Sequence, residues 1–199
     1  MNNKEILILS NIPESIETDK LIIRRYLEGD GAAIYALTER NDNRNHLKGI
    51  ADDIANLKSI QEAELKARKH RGEWVNRDRF VAGIWLKKDG LYVGELWIEP
   101  VNWDVSSFEI GWFIDKGCEG RGMAYEAAVN ALVYLFDILG AHKVIASMDD
   151  TNSRSYNLAE RLGFKKEGHF IESEIRDHVR FGKYYFGLLK SEFDRPPNN

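Results

Sequence analysis

The stretch Ser107–Ala128, SFEIGWFIDKGCEGRGMAYEAA, constrains the fold more than any other part of the chain. Phe108, Ile110, Trp112 and Ile114 alternate with Glu109, Gly111 and Phe113. That two-residue period predicts a strand with at least one apolar face. Asp115 and Lys116 end the alternation, and Gly117, Gly120 and Gly122 follow closely. Ala124, Ala127, Ala128, Ala131, Leu132, Leu135, Ile138 and Leu139 then recur at helical spacing, with Gly140 as the stop. The stretch predicts strand, glycine turn and helix, and such a unit needs a right-handed parallel crossover within a sheet.

A glycine turn feeding a helix N-terminus presents unpaired backbone N–H groups and the positive end of the helix dipole, a ready site for phosphate oxygens. A tight strand-to-helix turn with no ligand would use the same glycines. Two known cradles are excluded. A P-loop needs Gly-Lys-Ser/Thr, and Arg121-Gly122-Met123 does not supply it. A dinucleotide fingerprint read from Gly120 puts Tyr125 where a third small residue must let helix and strand pack closely.

Around this unit the chain reads as one domain over 1–199, with no repeat or linker. Residues 1–19 form a polar leader around Ile6–Leu9, suited to an edge strand or to the surface. Leu21–Tyr26 is a first strand, and Asp30 is placed to cap a helix over Gly31–Arg40. Residues 41–49 read as a loop. Asp52 or Asp53 opens a second helix to about His70, with an apolar side at Ile54, Leu57, Ile60 and Leu65. Arg79–Leu86 and Leu91–Ile98 form a hairpin about Asp89-Gly90, and residues 100–104 break the run. After the central helix come a strand Lys143–Met148, a helix Thr151–Leu162, closing strands Phe170–Ile175 and Val179–Leu189, and a frayed tail 194–199.

A net charge of −4 gives the chain no general attraction for nucleic acid or an anionic membrane. One cysteine excludes an internal disulfide, and the apolar run Ile6–Leu9 is too short for a membrane span or a signal peptide. These features predict a cytoplasmic protein. The five histidines show no metal-ligand spacing, so no metal is expected. Cys118 has no His placed by sequence to activate it, so an acyl-cysteine route is not expected.

The segment Glu119-Gly-Arg-Gly-Met123 resembles motif A of the GCN5-related N-acetyltransferases, the GNAT family, whose pattern is Gln/Arg-x-x-Gly-x-Gly/Ala. Asn152-x-x-Ser155 with Gly163-Phe164 resembles the family's motif B, in the right order and at the right distance. More narrowly, EIGWFID and GRGMAYEA resemble the RimJ/RimL branch, which acetylates ribosomal-protein N-termini. Two departures stand out: Gly117 lies where the family often has Gln or Arg, and Ala159 where many members have Tyr.

The resemblance spans roughly residues 20–190 and implies an α/β (α+β) GNAT fold. In that fold a central mixed, mostly antiparallel sheet splays at the acetyl-CoA site, with helices on both faces. It implies acetyl-CoA as co-substrate, held by Phe113, Ile114, Cys118, Glu119, Gly120, Arg121, Gly122, Met123, Ala124, Asn152 and Ser155. A strand carboxylate then acts as base through water, with Glu109 first and Glu95 second, and Ser155 serves as acid for the departing thiolate. The implied acceptor is a primary amine at a protein N-terminus, and a homodimer is compatible with this branch; separately, residues 40–48 with those around 172–180 are candidates for the acceptor pocket, a solvated loop being the alternative. A small-molecule amine acceptor and a non-catalytic CoA-binding module are the competing readings. Thiol release from acetyl-CoA separates the last of these from an enzyme.

Overall fold

The computed structural model describes residues 3–195; residues 196–199 of the expected tail lie outside them. In chain order the elements are α1 (Asn3–Leu9), β1 (Ser15–Glu17), β2 (Leu21–Arg25), α2 (Gly31–Thr38), α3 (Asn43–Leu47), α4 (Asp52–Ala55) and α5 (Ile60–Val75). There follow β3 (Phe80–Leu86), β4 (Tyr92–Asn102), β5 (Ser107–Ile114), α6 (Met123–Asp137), β6 (Lys143–Asp149), α7 (Ser153–Arg161), β7 (Lys165–Arg176) and β8 (Val179–Leu189). The strands form one sheet in the order β1-β2-β3-β4-β5-β6-β8-β7. Every neighbouring pair is antiparallel except β5–β6. That parallel pair is joined by α6, the crossover the sequence predicts.

The sheet's two faces carry separate cores. On one, Leu132, Leu135 and Phe136 of α6 and Leu158 of α7 pack on Leu96, Ile98, Phe108, Ile110 and Val144. On the other, Ile34, Leu37, Leu47, Ile54, Ala63 and Ala67 from α2–α5 cover Val81, Trp85, Tyr92 and Phe113.

Several local expectations give way to tertiary packing. The expected long second helix is two, α4 and α5, because Ser59 starts a new one: its hydroxyl accepts from Glu62 N at 3.2 Å, while Glu62 accepts from Lys58 N at 2.8 Å. The buried side of α5 is Ala63, Ala67, His70 and Trp74. Ile60 and Leu65 are exposed. Gly31 of α2 lets α5 approach closely, since a Cβ there would meet Glu64 N at 2.4 Å. Asp30 stands at the N-cap of α2, but its carboxylate instead holds Arg24 Nη1 at 2.7 Å and Leu27 N. β4 runs through Pro100 with a register shift before Asn102. Its pairing with β3 ends at Ile98, so on that side no strand needs the missing proline N–H. In the leader, Ser15–Glu17 does add an edge strand, whereas Ile6–Leu9 is helical and buries Leu7.

Candidate active site

β5 and β6 pair only over Ser107–Glu109 against Lys143–Ile145. Beyond that point β5 stays on β4 as far as Ile114, and β6 stays on β8 as far as Asp149. The facing edges, Ile110–Ile114 and Ala146–Asp149, therefore diverge and form no ladder with one another, and Ile114 O is instead 3.3 Å from His46 Nε2. This is the splay the resemblance implies.

A cleft of about 530 Å³ opens at the splay, lined by Phe113, Ile114, Cys118, Glu119, Gly120, Gly122, Met123, Ala124, Asn152 and Ser155. All of these are sequence-predicted. Arg121 is exposed between the two glycines and is absent from the lining. Gly120 and Gly122 have φ of +71° and +78°, and a Cβ on either would meet no atom within 4 Å. The space a side chain would fill is thus open to a ligand. The first intrahelical bond of α6 runs from Glu126 N to Gly122 O, so the amides of Met123, Ala124 and Tyr125 have no partner within the helix. Arg154 and Arg161 line the same cleft, and the Arg161 guanidinium lies 5.0 Å from the Tyr125 ring. Orphan amides, a helix dipole and two guanidiniums fit a diphosphate, and the unpaired edge of β5 fits an amide-bearing arm.

The cradle is fixed from below by a buried carboxylate. Asp115 Oδ2 accepts from Arg40 Nε at 2.6 Å, and its Oδ1 accepts from Asn41 Nδ2 and Gly117 N, each at 2.9 Å. Burial pushes this carboxyl up, but the hydrogen bonds from Asn41, Arg40 and the Gly117 amide outweigh it and hold the group below the ordinary aspartate range. The same contact explains the departure at Gly117, where a Cβ would sit 2.4 Å from Asn41 Nδ2. Because the folded pKa is depressed, this stabilisation is whole at neutral pH and is lost as pH falls through the folded value. Asp115→Asn should lower unfolding free energy by about 2 kcal/mol at pH 7, since Arg40 loses its counter-ion but stays partly solvated. The deficit relative to the parent should shrink in acid; urea unfolding at pH 7 and pH 3.5 measures both.

Of the predicted acceptor wall, Arg40 and Asn41 grip Asp115 instead of facing an acceptor. The segment just beyond contributes: Ile50 lines the cleft, and Gly49 and Ile50 line a second hollow of about 160 Å³ on the far side of the splay. Trp97, Gly111, Trp112, Ser147, Asp149, Asn152, Ser155 and Lys183 also line that hollow. A Cβ on Gly111 would lie 2.2 Å from the Trp97 ring, so glycine there lets the indole lie against β5. Ile50, Trp112, Asn152 and Ser155 line both spaces and mark where the two meet.

Glu109 lies at the last β5–β6 pair and does not line either space itself. Its Oε1 accepts from Ser147 Oγ at 2.6 Å, and Ser147 lines the hollow. Glu95 is turned away: it accepts from Tyr26 Oη at 2.5 Å and lies 3.6 Å from Lys66 Nζ, under α5. Burial, and then the Glu95 carboxylate, push Tyr26 well above the ordinary phenol range. Asn152 Oδ1 caps α7 by accepting from Ser155 N at 3.2 Å. Cys118 is buried, and burial followed by Asp115 pushes its thiol up, so it is a poor nucleophile. Among the described residues no group of acidic, His or Cys side chains could hold a metal ion, and no helix is long and apolar enough to cross a membrane.

His46, from the predicted acceptor wall, lines this cleft instead, and the sequence reading missed Arg154, Asn157, Leu158 and Arg161 there. These four recur at helical spacing on α7, a signal present in the sequence. Arg154 Nη1 is 2.7 Å from Glu119 Oε1, linking α7 to the cradle loop, and His46 Nε2 approaches the same oxygen at 3.4 Å.

Comparison with known proteins is decisive at this point. The family described as Acetyltransferase (GNAT) domain matches residues 20–165. The chain belongs to the GNAT acetyltransferase family. It is 25% identical over 179 residues to the uncharacterized N-acetyltransferase YnaD of Bacillus subtilis (strain 168), covering 90% of this chain and 99% of that one. Over 153 residues it is 29% identical to the spermidine N(1)-acetyltransferase of Vibrio cholerae, covering 77% and 83%. Over 75 residues it is 35% identical to the [ribosomal protein uS5]-alanine N-acetyltransferase of Escherichia coli (strain K12), covering 35% and 39%. The solved structure of a probable acetyltransferase superposes with a TM-score of 0.81 at 22% identity, covering 90% and 98%, which shows the shared fold. This GNAT protein is an acetyl-CoA-dependent N-acetyltransferase.

Proposed function

We propose that this GNAT enzyme acetylates the α-amine of a protein N-terminus by direct attack within a ternary complex. The carrying observation is the meeting of two spaces at Ile50, Trp112, Asn152 and Ser155. A co-substrate in the cleft and an acceptor in the hollow reach one another across the splay, which suits direct attack of the amine on the thioester. Acetyl-CoA, when bound, supplies an activated acetyl thioester. The chain's own groups then have three tasks.

The backbone N–H of Ile114, on the free edge of β5, polarises the carbonyl in the manner of an oxyanion hole; Phe113, paired with Glu95, turns its own N–H into the β4–β5 ladder. Ser147 Oγ takes the proton released by the amine while passing its own to Glu109 Oε1, over the 2.6 Å bond already in place. Ser155, at the junction, donates to the leaving thiolate and takes its replacement proton from solvent in the open cleft. A thiol pKa near 8.5 makes that last task light. Ser155→Ala should therefore lower kcat by only about fivefold with little change in the acetyl-CoA KM, the mark of a contact made mainly in the transition state. If the KM rises with kcat intact, Ser155 binds or caps and does not donate.

The E. coli relative acts on a ribosomal protein, which supports a polypeptide acceptor, and an α-amine with pKa of about 7.7–8.0 is already partly neutral at pH 7. A thiol-release screen over N-terminal peptides, polyamines, amino acids and aminoglycosides tests the reading. Turnover confined to polyamines or aminoglycosides would replace it with a small-molecule reading.

A further inference from the structure

The hollow on the acceptor side is electrically polarised along β6. Ser147 and Asp149 share one face of that strand and so stand about 7 Å apart. The inner end carries a carboxylate, since Ser147 Oγ is bonded to Glu109. The outer end carries Asp149, but Arg176 Nη1 lies 3.0 Å from Asp149 Oδ2 and cancels it. Lys183, opposite Asp149 in the β6–β8 pair, also lines the hollow. Lys183 Nζ lies 3.9 Å from Glu174 Oε1, a long ion pair. Asp149 and Lys183 line the hollow, whereas Arg176 and Glu174 do not; with Asp149 paired to Arg176, Lys183 is the cation that the outer end presents to the hollow.

Arg176 is held firmly in this role. Its Nη2 donates to Gly49 O at 3.3 Å, and its guanidinium lies 4.6 Å from the Phe181 ring. Gly49 has φ +79°, and a Cβ there would lie 2.4 Å from Arg176 Nη1. One side chain thus ties the segment before α4, the end of β6 and the β7–β8 hairpin around the outer end of the hollow.

We propose that Lys183 and Arg176 set acceptor specificity, admitting an amine followed within about 7 Å by carbonyl or carboxylate oxygens and repelling a second ammonium. This rests on the amine-acceptor reading above. A polypeptide N-terminus meets the pattern: its amine goes to the Ser147–Glu109 end and its first peptide carbonyls to the cationic end. A polyamine does not, because its next ammonium, three or four methylenes away, falls beside Lys183, where Asp149 is already taken up by Arg176. Specificity here comes from repulsion as much as from attraction.

The test compares kcat/KM by thiol release for a tetrapeptide with a free N-terminal Ala and for spermidine. The wild type should favour the peptide. Lys183→Glu, at a partly exposed strand position, should shift the ratio toward spermidine by about tenfold or more, carried by the acceptor KM, with the acetyl-CoA KM unchanged. Arg176→Gln should shift it the same way by freeing Asp149, and adding Asp149→Asn should reverse that shift. A ratio unchanged in Lys183→Glu, or a wild type that prefers spermidine, overturns the proposal alone. No thiol release from wild type with either acceptor overturns the amine-acceptor reading and this proposal with it.

Discussion

Gly122→Val is expected to abolish the stabilisation that coenzyme A confers. Free CoA at about a hundred times Kd should stabilise the parent by about 2.7 kcal/mol, because it binds the folded state alone. For a chain of this size that is a rise in Tm of about 5–10 °C. The variant should show no rise at all. Gly122 has φ +78° and its Cβ direction is open, so a β-branched side chain there projects into the space a diphosphate would occupy. Valine at positive φ also costs stability through strain, by about 1–3 kcal/mol, and that effect must be separated from lost binding. Gly90, in the β3–β4 turn, supplies the control: its φ is +69° and a Cβ there likewise meets nothing within 4 Å. Gly90→Val should lower Tm comparably yet keep the full CoA-induced rise. A CoA-induced rise that survives in Gly122→Val would place the phosphates elsewhere.

Glu109→Gln should lower kcat by about 10²-fold, with partial recovery as pH rises and the acceptor amine needs less help. Ser147→Ala should bring a loss of similar size, because Ser147 stands between the hollow and Glu109. If the two act as one relay, the double variant should be little worse than either single one. Pre-steady-state acetyl transfer across pH, with acceptor at saturation, reads all three. Losses that multiply would mean Glu109 and Ser147 act separately, and a Glu109→Gln profile identical to the parent's would make Glu109 a structural carboxylate.

What the sequence disclosed and what it hid divide along physical lines. The cradle was legible because three local signals agree: a two-residue period in Phe108–Ile114, glycines at positive φ, and a helical stripe in α6. A cap at Thr151 or Asn152 and a stop at Gly163 were legible for the same reason, since capping is decided within a few residues, and the structure has Asn152 as the cap. The start of α5 was equally local, in Ser59-Ile-Gln-Glu62, yet an apolar count overlooks it because the buried side is alanine and histidine.

Other features depend on contacts distant in the chain. Nothing near Asp115 announces that Arg40 and Asn41 will bind it, or that this contact is what requires glycine at position 117. Glu95 and Glu109 are both strand carboxylates, and only the fold buries one beneath Tyr26 and Lys66 and sets the other beside Ser147. The outer end of the acceptor hollow draws on Gly49, Asp149, Arg176 and Lys183, from four separate segments, so no motif could have announced it.

The central claim is acetyl transfer from acetyl-CoA to an amine across the splayed strands. Its most direct measurement is the initial rate of free thiol release from acetyl-CoA, with and without an N-terminal peptide, on protein shown by calorimetry to bind CoA. The account predicts release that depends on and saturates with the peptide, with N-terminally acetylated peptide formed in equal amount. CoA binding without acceptor-dependent release, over peptides, polyamines, amino acids and aminoglycosides alike, would contradict it and leave a non-catalytic CoA-binding module.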